Sequence, residues 1–473
     1  MTEIRLGLTY ADVLLVPKKT SLNSRTEADV KSKWTKNISL NIPLTSTNMA
    51  SVTEHSMAIA MAREGGIGTI HQFCSIEEQV EEVRKVKKST SYIVEDPLAT
   101  DSSIKLQDAL DIMDAGEVTS LLVMQNGKLA GILTSRDYEF ETNYEKKVSE
   151  LMTTKLITAD PSITMENAKK LLHDHRIEKL PLVKDGKLYG LITSQDIRKL
   201  EKWPNACRDE KGRLRVCAAV GVKDTLERSK ALVVAGADVI MLDVAHAHSV
   251  NVIDKLKELK KNISVDIIVG TIATAQAAEE LIQAGADGLV VGIGTSPICT
   301  TRVMSGAGVP QITALLDVAP IAKKYGIPFT ANGGMLYPGD VTKALATGAS
   351  TIFSGTFFAG TDEAPGMIVT KDGKRYKRYL GSSSYDGTHE RKERSEGRRV
   401  KEKLDTFVEG IATLVDYKGP VSEIIAGLVK GLKSGMSYCG AKTIDEMQKN
   451  AEFIRITPSG WHESLGRGMK ISE

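Results

Sequence analysis

The chain lacks a surplus of charge of either sign, because 62 Lys and Arg residues stand against 60 Asp and Glu residues among its 473 positions. This balance gives no electrostatic reason to expect nucleic acid or an anionic membrane as the main partner. Long apolar runs are also missing, since none reaches the ~18 residues that suggest a membrane span. The N-terminus has no long apolar stretch after a basic start, so we expect no secretory signal.

Cysteine is scarce as well. The five cysteines are scattered and form no CxxC pair, so we expect neither a disulfide framework nor a zinc site. A reducing, cytoplasmic setting is therefore the expectation. The 41% hydrophobic content can fill sizeable cores, which excludes wholesale disorder. Forty glycines, many in doublets and GxG runs, predict many tight strand–loop junctions.

Short apolar runs that end in Gly or Asn alternate with amphipathic helical segments. The clearest runs are residues 237–249, 265–274, 287–297, 327–335 and 349–360. The unit of strand, loop and helix recurs every ~20–30 residues, which predicts a parallel sheet. Five or more units in one half of the chain favour a closed (β/α)8 TIM barrel over a doubly wound sheet. In either fold the loops after the strands carry the chemistry.

An internal repeat interrupts this pattern. NGKLAGILTSRD (126–137) matches DGKLYGLITSQD (185–196), and each copy follows an amphipathic helix and an apolar strand. The NG and DG dipeptides predict hairpin turns, so the repeat predicts a compact two-copy module inserted into the barrel. We therefore expect an N-terminal barrel part, repeat 1, repeat 2 and a C-terminal barrel part at residues 1–90, 91–145, 146–203 and 204–473.

The stretch VGIGTSPICTTRVMSGAGVPQ (291–311) carries the clearest chemical signal. An apolar strand runs into a Gly-rich loop that holds Cys299 and, three residues later, Arg302. A thiol on a loop beside a cation can be partly deprotonated and act as a nucleophile. Core packing is the alternative role for a lone cysteine, but here the neighbours are Gly, Thr, Ser and Pro. The other four cysteines lack comparable surroundings.

Further motifs occur in order along nearly the whole chain: TYADVLLVP near the start, GRLRVCAAVG (212–221), LDVAHAHS (242–249), GIGTSPICTTR (292–302), GVPQITA (308–314) and FAGTDEAPG (358–366). With them the chain resembles the inosine-monophosphate dehydrogenase / guanosine-monophosphate reductase family. The resemblance implies a TIM barrel with an inserted module and a homotetramer or octamer. It also implies an enzyme that transfers hydride at C2 of a purine mononucleotide through a covalent thioimidate.

The repeat itself resembles a tandem cystathionine-β-synthase (CBS) pair, a module that commonly binds adenine nucleotides. By resemblance, ATP or GTP would contact Thr134 and Asp137 in the first copy and Thr193 and Asp196 in the second. The alternative is that each Thr–Asp pair only caps the following helix.

The family resemblance assigns roles at the active site. Cys299 would attack C2, Thr301 would help activate water or ammonia, and Asp243 would orient NAD or NADPH. Further cofactor contacts would be Val244, Ala245, Gly292 and Gly294. Glycine lets backbone N–H groups approach a phosphate, although tight turns explain single glycines equally well. Substrate contacts would be Ser46, Met49, Asn332, Gly333, Gly334, Gly355, Thr356, Tyr379, Gly381 and Glu409.

The flap, residues 380–408, bears on the direction of the reaction. The family's dehydrogenases use an Arg-Tyr dipeptide there to activate water, and the flap of this chain contains none. Arg394 is followed by Ser395 and Glu396, which resembles the reductase's Ser-Glu-Gly and would pair Glu396 with Thr301. The sequence therefore favours an NADPH-dependent GMP reductase. An NAD-dependent IMP dehydrogenase, with Arg394 in the hydrolytic step, is the alternative.

Several ligand positions depart from the family pattern. Pro297 stands where the family has a phosphate-binding serine, Ser296 where it has glycine, and Asn332 where it has aspartate. These changes keep open a divergent paralogue with another purine ligand or mainly a nucleotide-sensing role. The resemblance also implies a potassium site, with Gly294, Cys299, Glu463 and Ser464 as ligands. Leu465 stands where the family has a histidine, and this change argues against potassium dependence.

Overall fold

The computed structural model describes residues 4–89, 93–94, 97–116, 118–396 and 407–466, apart from the side chains of Asp196, Lys199, Leu200, Ser395 and Glu396. The chain forms two compact units. The first comprises residues 1–89, 205–209 and 214–473, and the second comprises residues 90–204 and 210–213.

The first unit is built on a closed barrel of eight parallel strands. In chain order these are β1 (Leu44–Ser46), β2 (Ile67–Ile70), β3 (Cys217–Val220), β4 (Val239–Asp243), β5 (Asp266–Ile272), β6 (Gly288–Val291), β7 (Phe329–Asn332) and β8 (Thr351–Ser354). Each strand pairs with its neighbours in sequence order, and β8 pairs with β1 to close the ring. The predicted TIM barrel is confirmed.

A helix follows each barrel strand and covers the outside of the ring. The eight are α1 (His55–Arg63), α2 (Ile76–Ser89), α3 (Thr225–Ala235), α4 (Val250–Asn262), α5 (Ala275–Gln283), α6 (Gln311–Tyr325), α7 (Pro338–Ala346) and α8 (Val421–Tyr438). Side-chain caps begin some of them: Ser249 accepts from Val252 N–H at α4, and Thr274 accepts from Ala277 N–H at α5. Because helices cover the strands, the strands are buried and read as continuous apolar runs.

The first unit also contains short helices and short antiparallel strands outside the barrel. Single-turn helices lie at Tyr10–Asp12, Arg25–Glu27 and Thr301–Ser305, and longer helices at Tyr385–Glu396, Ile444–Asn450 and Pro458–Ser464. Val13–Leu15 pairs antiparallel with Phe453–Arg455, and Ser32–Lys33 pairs with Ser39–Leu40. A three-stranded antiparallel sheet comprises Val369–Lys371, Lys374–Leu380 and Ala412–Asp416. This sheet brackets the flap, so it places the two ends of the flap beside each other.

The second unit contains two similar hairpins. Ser120–Gln125 pairs antiparallel with Lys128–Thr134, and Lys179–Lys184 pairs with Lys187–Thr193. Both turns have positive φ, at Asn126–Gly127 and at Asp185–Gly186. The hairpins predicted at the NG and DG dipeptides are thus confirmed. The unit also holds the strand Ala99–Asp101 and the helices Leu106–Ala115, Ser135–Tyr138, Val148–Leu151, Met165–Asp174 and Ser194–Glu201.

Thr134 and Asp137 form a helix cap in the first copy. The N–H and the hydroxyl of Thr134 both donate to Oδ2 of Asp137 at 2.7 Å, and the hydroxyl of Thr153 donates to its Oδ1 at 2.8 Å. This is the capping alternative raised by the sequence, and nucleotide binding here stays a prediction. In the second copy Thr193 ends its strand, and the side chain of Asp196 lies outside the described residues.

The cap predicts a local loss of stability. We expect Asp137→Ala to lower the free energy of opening this region by about 1–2 kcal/mol, because the helix loses its cap and Thr153 loses its acceptor. Native-state hydrogen exchange across residues 128–153 measures the effect, and Glu139→Ala, at an exposed neighbouring position, is the matched control. Equal exchange rates in the two variants would contradict the prediction.

Candidate active site

The predicted nucleophile lies in the loop after β6, at the carboxyl end of the barrel, where the sequence analysis placed the chemistry. Cys299 is half-buried. Its Sγ lies 3.2 Å from Oγ1 of Thr301, and that hydroxyl donates to Oε2 of Glu409 at 3.0 Å. Because the hydroxyl proton of Thr301 goes to the carboxylate, its oxygen is able to accept the thiol proton. The three side chains therefore form a path along which a proton can leave the thiol.

Backbone hydrogen bonds hold Glu409 in this position. The Thr300 N–H donates to the Glu409 carbonyl at 2.9 Å, and the Ile411 N–H donates to the Ile298 carbonyl at 3.0 Å. The N–H of Glu409 donates in turn to the carbonyl of Ser383 at 3.1 Å. The chain that leaves the flap thus runs antiparallel to the loop that carries Cys299, between β6 and the helix Thr301–Ser305 and here called the catalytic loop. This pairing places the carboxylate beside Thr301.

Arg302 stabilises the loop itself. Its Nε donates to the Ile293 carbonyl at 3.0 Å, and Nη2 donates to the Val309 carbonyl. The sequence predicts that this cation acts on the thiol of Cys299, and the charge of Arg302 does interact with Cys299. Its hydrogen bonds join two parts of the loop that are distant in sequence, so they also hold the loop in shape.

The flap helix, Tyr385–Glu396, places Arg394 in an ion pair. Nη2 donates to Oε1 of Glu54 at 3.1 Å, and Nη1 lies 3.4 Å from Nε2 of His71. Burial by itself would lower the pKa of Arg394, but the hydrogen bond and charge of Glu54 outweigh it and raise that pKa. Arg394 therefore stays protonated. The side chain of Glu396 lies outside the described residues, so its pairing with Thr301 stays a prediction.

Glu54 is the acidic partner of Arg394 in that ion pair. Burial alone would raise the pKa of its carboxyl group, but hydrogen bonds from His71 and Arg394 lower it to about 2. Nδ1 of His71 accepts from the N–H of Phe73 at 3.1 Å, so Nε2 carries the proton that faces Glu54. This network joins the start of α1 and the loop after β2 to the flap helix. It also lines one end of a 260 Å³ cavity beside Gly381.

Asp243 ends β4 and is half-buried. Asn48 donates to its Oδ2 at 2.8 Å, and no described protein group donates to its Oδ1. Burial raises the pKa of Asp243 to about 6, against the smaller opposing effect of Asn48. A carboxylate with one open oxygen suits the hydroxyl or amide donors of a nicotinamide nucleotide, so this residue fits the predicted cofactor role. Val244 and Ala245 follow it, and both carbonyls accept from the side chain or N–H of Thr271.

A cluster of glycines, one threonine and one tyrosine lies where the phosphate was predicted. Gly333 and Gly334 adopt φ of +74° and +78°, a region that favours glycine. A Cβ on Gly355 would come within 2.5 Å of the hydroxyl of Tyr379, so only glycine fits there. Thr356 follows directly, and Tyr379 is 2% exposed.

The remaining predicted substrate residues lie around this cluster. Asn332 donates to the Gly292 carbonyl at 3.3 Å, which leaves its Oδ1 available to a ligand hydroxyl. The hydroxyl of Ser46 accepts from Thr53 at 2.9 Å. A Cβ on Gly355 would lie 3.0 Å from the Sδ of Met49. Gly381 donates to the Ile411 carbonyl at 2.9 Å, and so belongs to the pairing that holds Glu409.

The predicted potassium ligands are not joined within one chain. Gly294 packs against the side chain of Arg302, whereas Glu463 and Ser464 belong to the helix Pro458–Ser464. The hydroxyl of Ser464 donates to the Gly460 carbonyl at 3.0 Å. Among the described residues no hydrogen bond or ion pair connects this helix to the catalytic loop. The four residues therefore do not make a complete site in one chain, and potassium binding stays a prediction.

In the described part of the chain, no group of three or more His, Cys, Asp or Glu side chains is arranged to hold a metal ion. No described helix is both long and apolar enough to cross a bilayer.

Residues 7–466 match the IMP dehydrogenase / GMP reductase domain. The chain belongs to this family. It is 49% identical to the inosine-5'-monophosphate dehydrogenase of Nitrosopumilus maritimus, over 98% of each chain. It is 48% identical to that of Aquifex aeolicus, over 99% of this chain and 97% of the other. The family resemblance and the expectation of an oxidoreductase are thus confirmed.

The solved structures that resemble this chain are named GMP reductase, which is the second activity in the family's name. A variant of GMP reductase from Trypanosoma brucei, in complex with guanosine 5'-monophosphate, is 42% identical with a TM-score of 0.88, over 99% of each chain. A second structure of GMP reductase from that organism, in complex with guanosine 5'-triphosphate, is 40% identical with a TM-score of 0.77, over 96% of this chain and 98% of the other. The fold is therefore that of the family along the whole chain.

The raised pKa of Asp243 predicts a pH effect on cofactor binding. We expect affinity for the nicotinamide cofactor to fall as the pH drops through about 6, because protonation turns an ionised acceptor into a neutral acid. Asp243→Asn should bind weakly at every pH and show no inflection. Fluorescence titration of the cofactor between pH 5 and 8 measures this.

A stability measurement separates binding from folding for the same variant. Since the pKa of Asp243 is higher in the folded than in the unfolded chain, ionisation costs folding free energy above pH 6. Asp243→Asn should therefore unfold at an equal or higher temperature at pH 7. A variant that unfolds at a lower temperature, or that keeps the inflection, would refute the assignment.

Proposed function

We propose that this oxidoreductase acts at C2 of a purine mononucleotide, with Cys299 as the nucleophile, and that it works as an NADPH-dependent GMP reductase. The balanced reaction is GMP, NADPH and two protons to IMP, NADP⁺ and ammonium. The supporting observation is the carboxylate beside the nucleophile: Thr301 links Cys299 to Glu409 through contacts of 3.2 and 3.0 Å. Ammonia release needs proton transfer of this kind.

The residues perform the steps in a definite order. Thr301 passes the thiol proton to Glu409 as the sulfur of Cys299 bonds to C2 of GMP. The same pair returns a proton to the amino group, which leaves as ammonia and gives a thioimidate. A nicotinamide nucleotide held beside Asp243 would supply a hydride to C2 of the thioimidate. The carbon–sulfur bond would then break, and the sulfur would take up a proton to leave IMP and the free thiol of Cys299.

Arg394 supports this direction. A dehydrogenase must hydrolyse the thioimidate, and the flap has no Arg-Tyr dipeptide to activate water. An arginine serves as a base only when its pKa is lowered towards neutrality. The ion pair with Glu54 has the opposite effect, because it raises the pKa of Arg394.

IMP dehydrogenase is the second candidate, and the names of the curated relatives favour it. The relatives at 49% and 48% identity are both named inosine-5'-monophosphate dehydrogenase. In that direction NAD would oxidise IMP, and Glu409 could take a proton from water through Thr301. The two candidates share the nucleophile and the carboxylate, so the redox direction has to be measured.

The second unit is proposed as a CBS pair that binds ATP or GTP and regulates the barrel. The paired hairpins support this, together with the Thr–Asp pair at Thr134 and Asp137. We also propose that the enzyme is a cytoplasmic homotetramer or octamer, as the family resemblance implies.

A substrate panel tests the direction. We expect loss of NADPH absorbance with GMP, release of one ammonium per NADPH, and no NADH formed from IMP and NAD. Cys299→Ala should abolish the reaction because no thioimidate can form. NADH formation with IMP would establish the dehydrogenase instead, and turnover of neither nucleotide would favour the divergent paralogue.

The carboxylate can be tested separately. Glu409→Gln keeps the size of the side chain but cannot take up a proton, so we expect kcat to fall ~10²- to 10⁴-fold with little change in the KM for either substrate. Glu423→Gln, at an exposed position in the first turn of α8, is the control. If Glu409→Gln retained more than a tenth of the wild-type kcat, Glu409 would not be the acid/base group.

A further inference from the structure

Two lysines at the base of the flap have limited access to solvent. Lys377 lies in the strand Lys374–Leu380, which leads into the flap, and is only 4% exposed. Lys418 comes two residues after the strand Ala412–Asp416, which leads away from the flap, and is half-buried. Lysine is seldom buried unless an opposite charge pairs with it. Among the described residues neither ammonium group makes an ion pair, and backbone carbonyl groups hold both of them instead.

Lys377 is held by the loop after β8, residues 355–364 and here called the β8 loop. Its Nζ donates to three carbonyl oxygens of that loop, those of Thr361, Asp362 and Ala364, at 2.9, 3.2 and 2.5 Å. An ammonium group has three N–H donors, so each donor has one acceptor. These three bonds therefore fix the strand that carries Lys377 against the β8 loop.

Lys418 makes the same kind of contact from the other strand. Its Nζ donates to the carbonyl oxygens of Thr356 and Phe357 at 2.7 and 3.1 Å. Its backbone N–H donates to the carbonyl of Gly360 at 2.9 Å. Each strand at the base of the flap is thus joined to the same loop of the barrel.

Burial makes these contacts costly, which separates them from ordinary surface hydrogen bonds. It lowers the pKa of both lysines, and the nearby carboxylates of Asp362, Glu363 and Asp416 offset this only in part. A methionine of similar length would fill the space without that cost. It donates no hydrogen bond, however, and would leave buried carbonyl groups unpaired. The lysines therefore hold the loop in a fixed position at some cost in folding free energy.

The position of Glu409 depends on these strands. The strand that carries Lys377 pairs with Ala412–Asp416 along five residues, and Ala412 is three residues beyond Glu409. A shift of either strand against the β8 loop would therefore displace Glu409, whose carboxylate lies 3.0 Å from the hydroxyl of Thr301. Since hydrogen bonds require close contact and good alignment, a displacement of about 1 Å is enough to break this one.

We propose that Lys377 and Lys418 are positioning residues, which anchor the two strands at the base of the flap to the β8 loop and so keep Glu409 beside Thr301. Neither ammonium group bonds to Cys299, Thr301 or Glu409, so each lysine acts through the strand beside it. This inference rests on the proposed function only in the proton path from Cys299 to Glu409, and it is independent of the redox direction.

The thiol of Cys299 reports where Glu409 lies. Iodoacetamide alkylates the thiolate form of cysteine, and Cys299 is half-buried whereas the other four cysteines are buried. A carboxylate near a thiol disfavours the thiolate, so Glu409→Gln should lower the pH midpoint of alkylation by about 1 unit. Mass spectrometry of the peptide that contains Cys299 measures the rate against pH in the full-length protein without ligands.

Lys377→Met and Lys418→Met keep the length of the side chain but donate no hydrogen bond. We expect each to lower the midpoint by about 0.5 to 1 unit, which is a roughly 3- to 10-fold faster alkylation below the midpoint. The double variant should shift the midpoint no further than Glu409→Gln, because moving the carboxylate away can do no more than removing its charge. Lys374→Met, at an exposed position of the same strand, is the matched control and should keep the wild-type profile.

Hydrogen exchange of the wild-type protein tests the anchor without a substitution. We expect residues 374–380, residues 412–418 and the β8 loop to open with one free energy, because segments joined in this way open as a cooperative unit. Strands that open independently of the β8 loop would overturn the proposal, also where a methionine variant fails to fold.

The outcomes separate this proposal from the proposed function. A wild-type alkylation profile in both lysine variants, beside a shifted profile in Glu409→Gln, overturns the anchor alone, even if the lysine variants unfold at a lower temperature. An unchanged profile in Glu409→Gln refutes the proton path and the anchor with it. A shifted profile in both lysine variants of an enzyme that oxidises IMP supports the anchor while the reductase proposal fails.

Discussion

The antiparallel pairing between the catalytic loop and the chain that leaves the flap is the constraint on which the site depends. Two backbone hydrogen bonds, from Thr300 to Glu409 and from Ile411 to Ile298, hold residues more than 100 positions apart in register. Backbone pairing fixes both position and direction, so the carboxylate of Glu409 meets Thr301. Without it, Cys299 would be a thiol on a loop with no acceptor for its proton.

Burial and hydrogen bonding shift the pKa values of two carboxyl groups, those of Asp243 and Glu54, in opposite directions. Asp243 is half-buried and has a single amide donor, so its pKa rises to about 6. Glu54 is also partly buried, but His71 and Arg394 both donate to it, so its pKa falls to about 2. The first carboxyl can change its charge near neutral pH. The second stays ionised and holds the flap helix against the barrel.

Much of this molecule could be predicted from the sequence. The regular recurrence of the strand–loop–helix unit, the apolar runs and the Gly-rich junctions predicted the barrel. A parallel strand covered by helices has to be apolar throughout. The hairpins of the repeat followed from Asn126–Gly127 and Asp185–Gly186, since these dipeptides accept the left-handed backbone that a tight turn needs. Cys299 and Asp243 were found by motif. Glu409 was assigned to the substrate, and its contact with Thr301 was missed.

The sequence by itself determined the barrel, the repeat and the nucleophile, because local pattern and motif order encode them. Only the tertiary structure decided which groups meet: Glu409 with Thr301, and Arg394 with Glu54. These contacts join loops that are distant in sequence, so they depend on the closed ring of strands and not on sequence spacing.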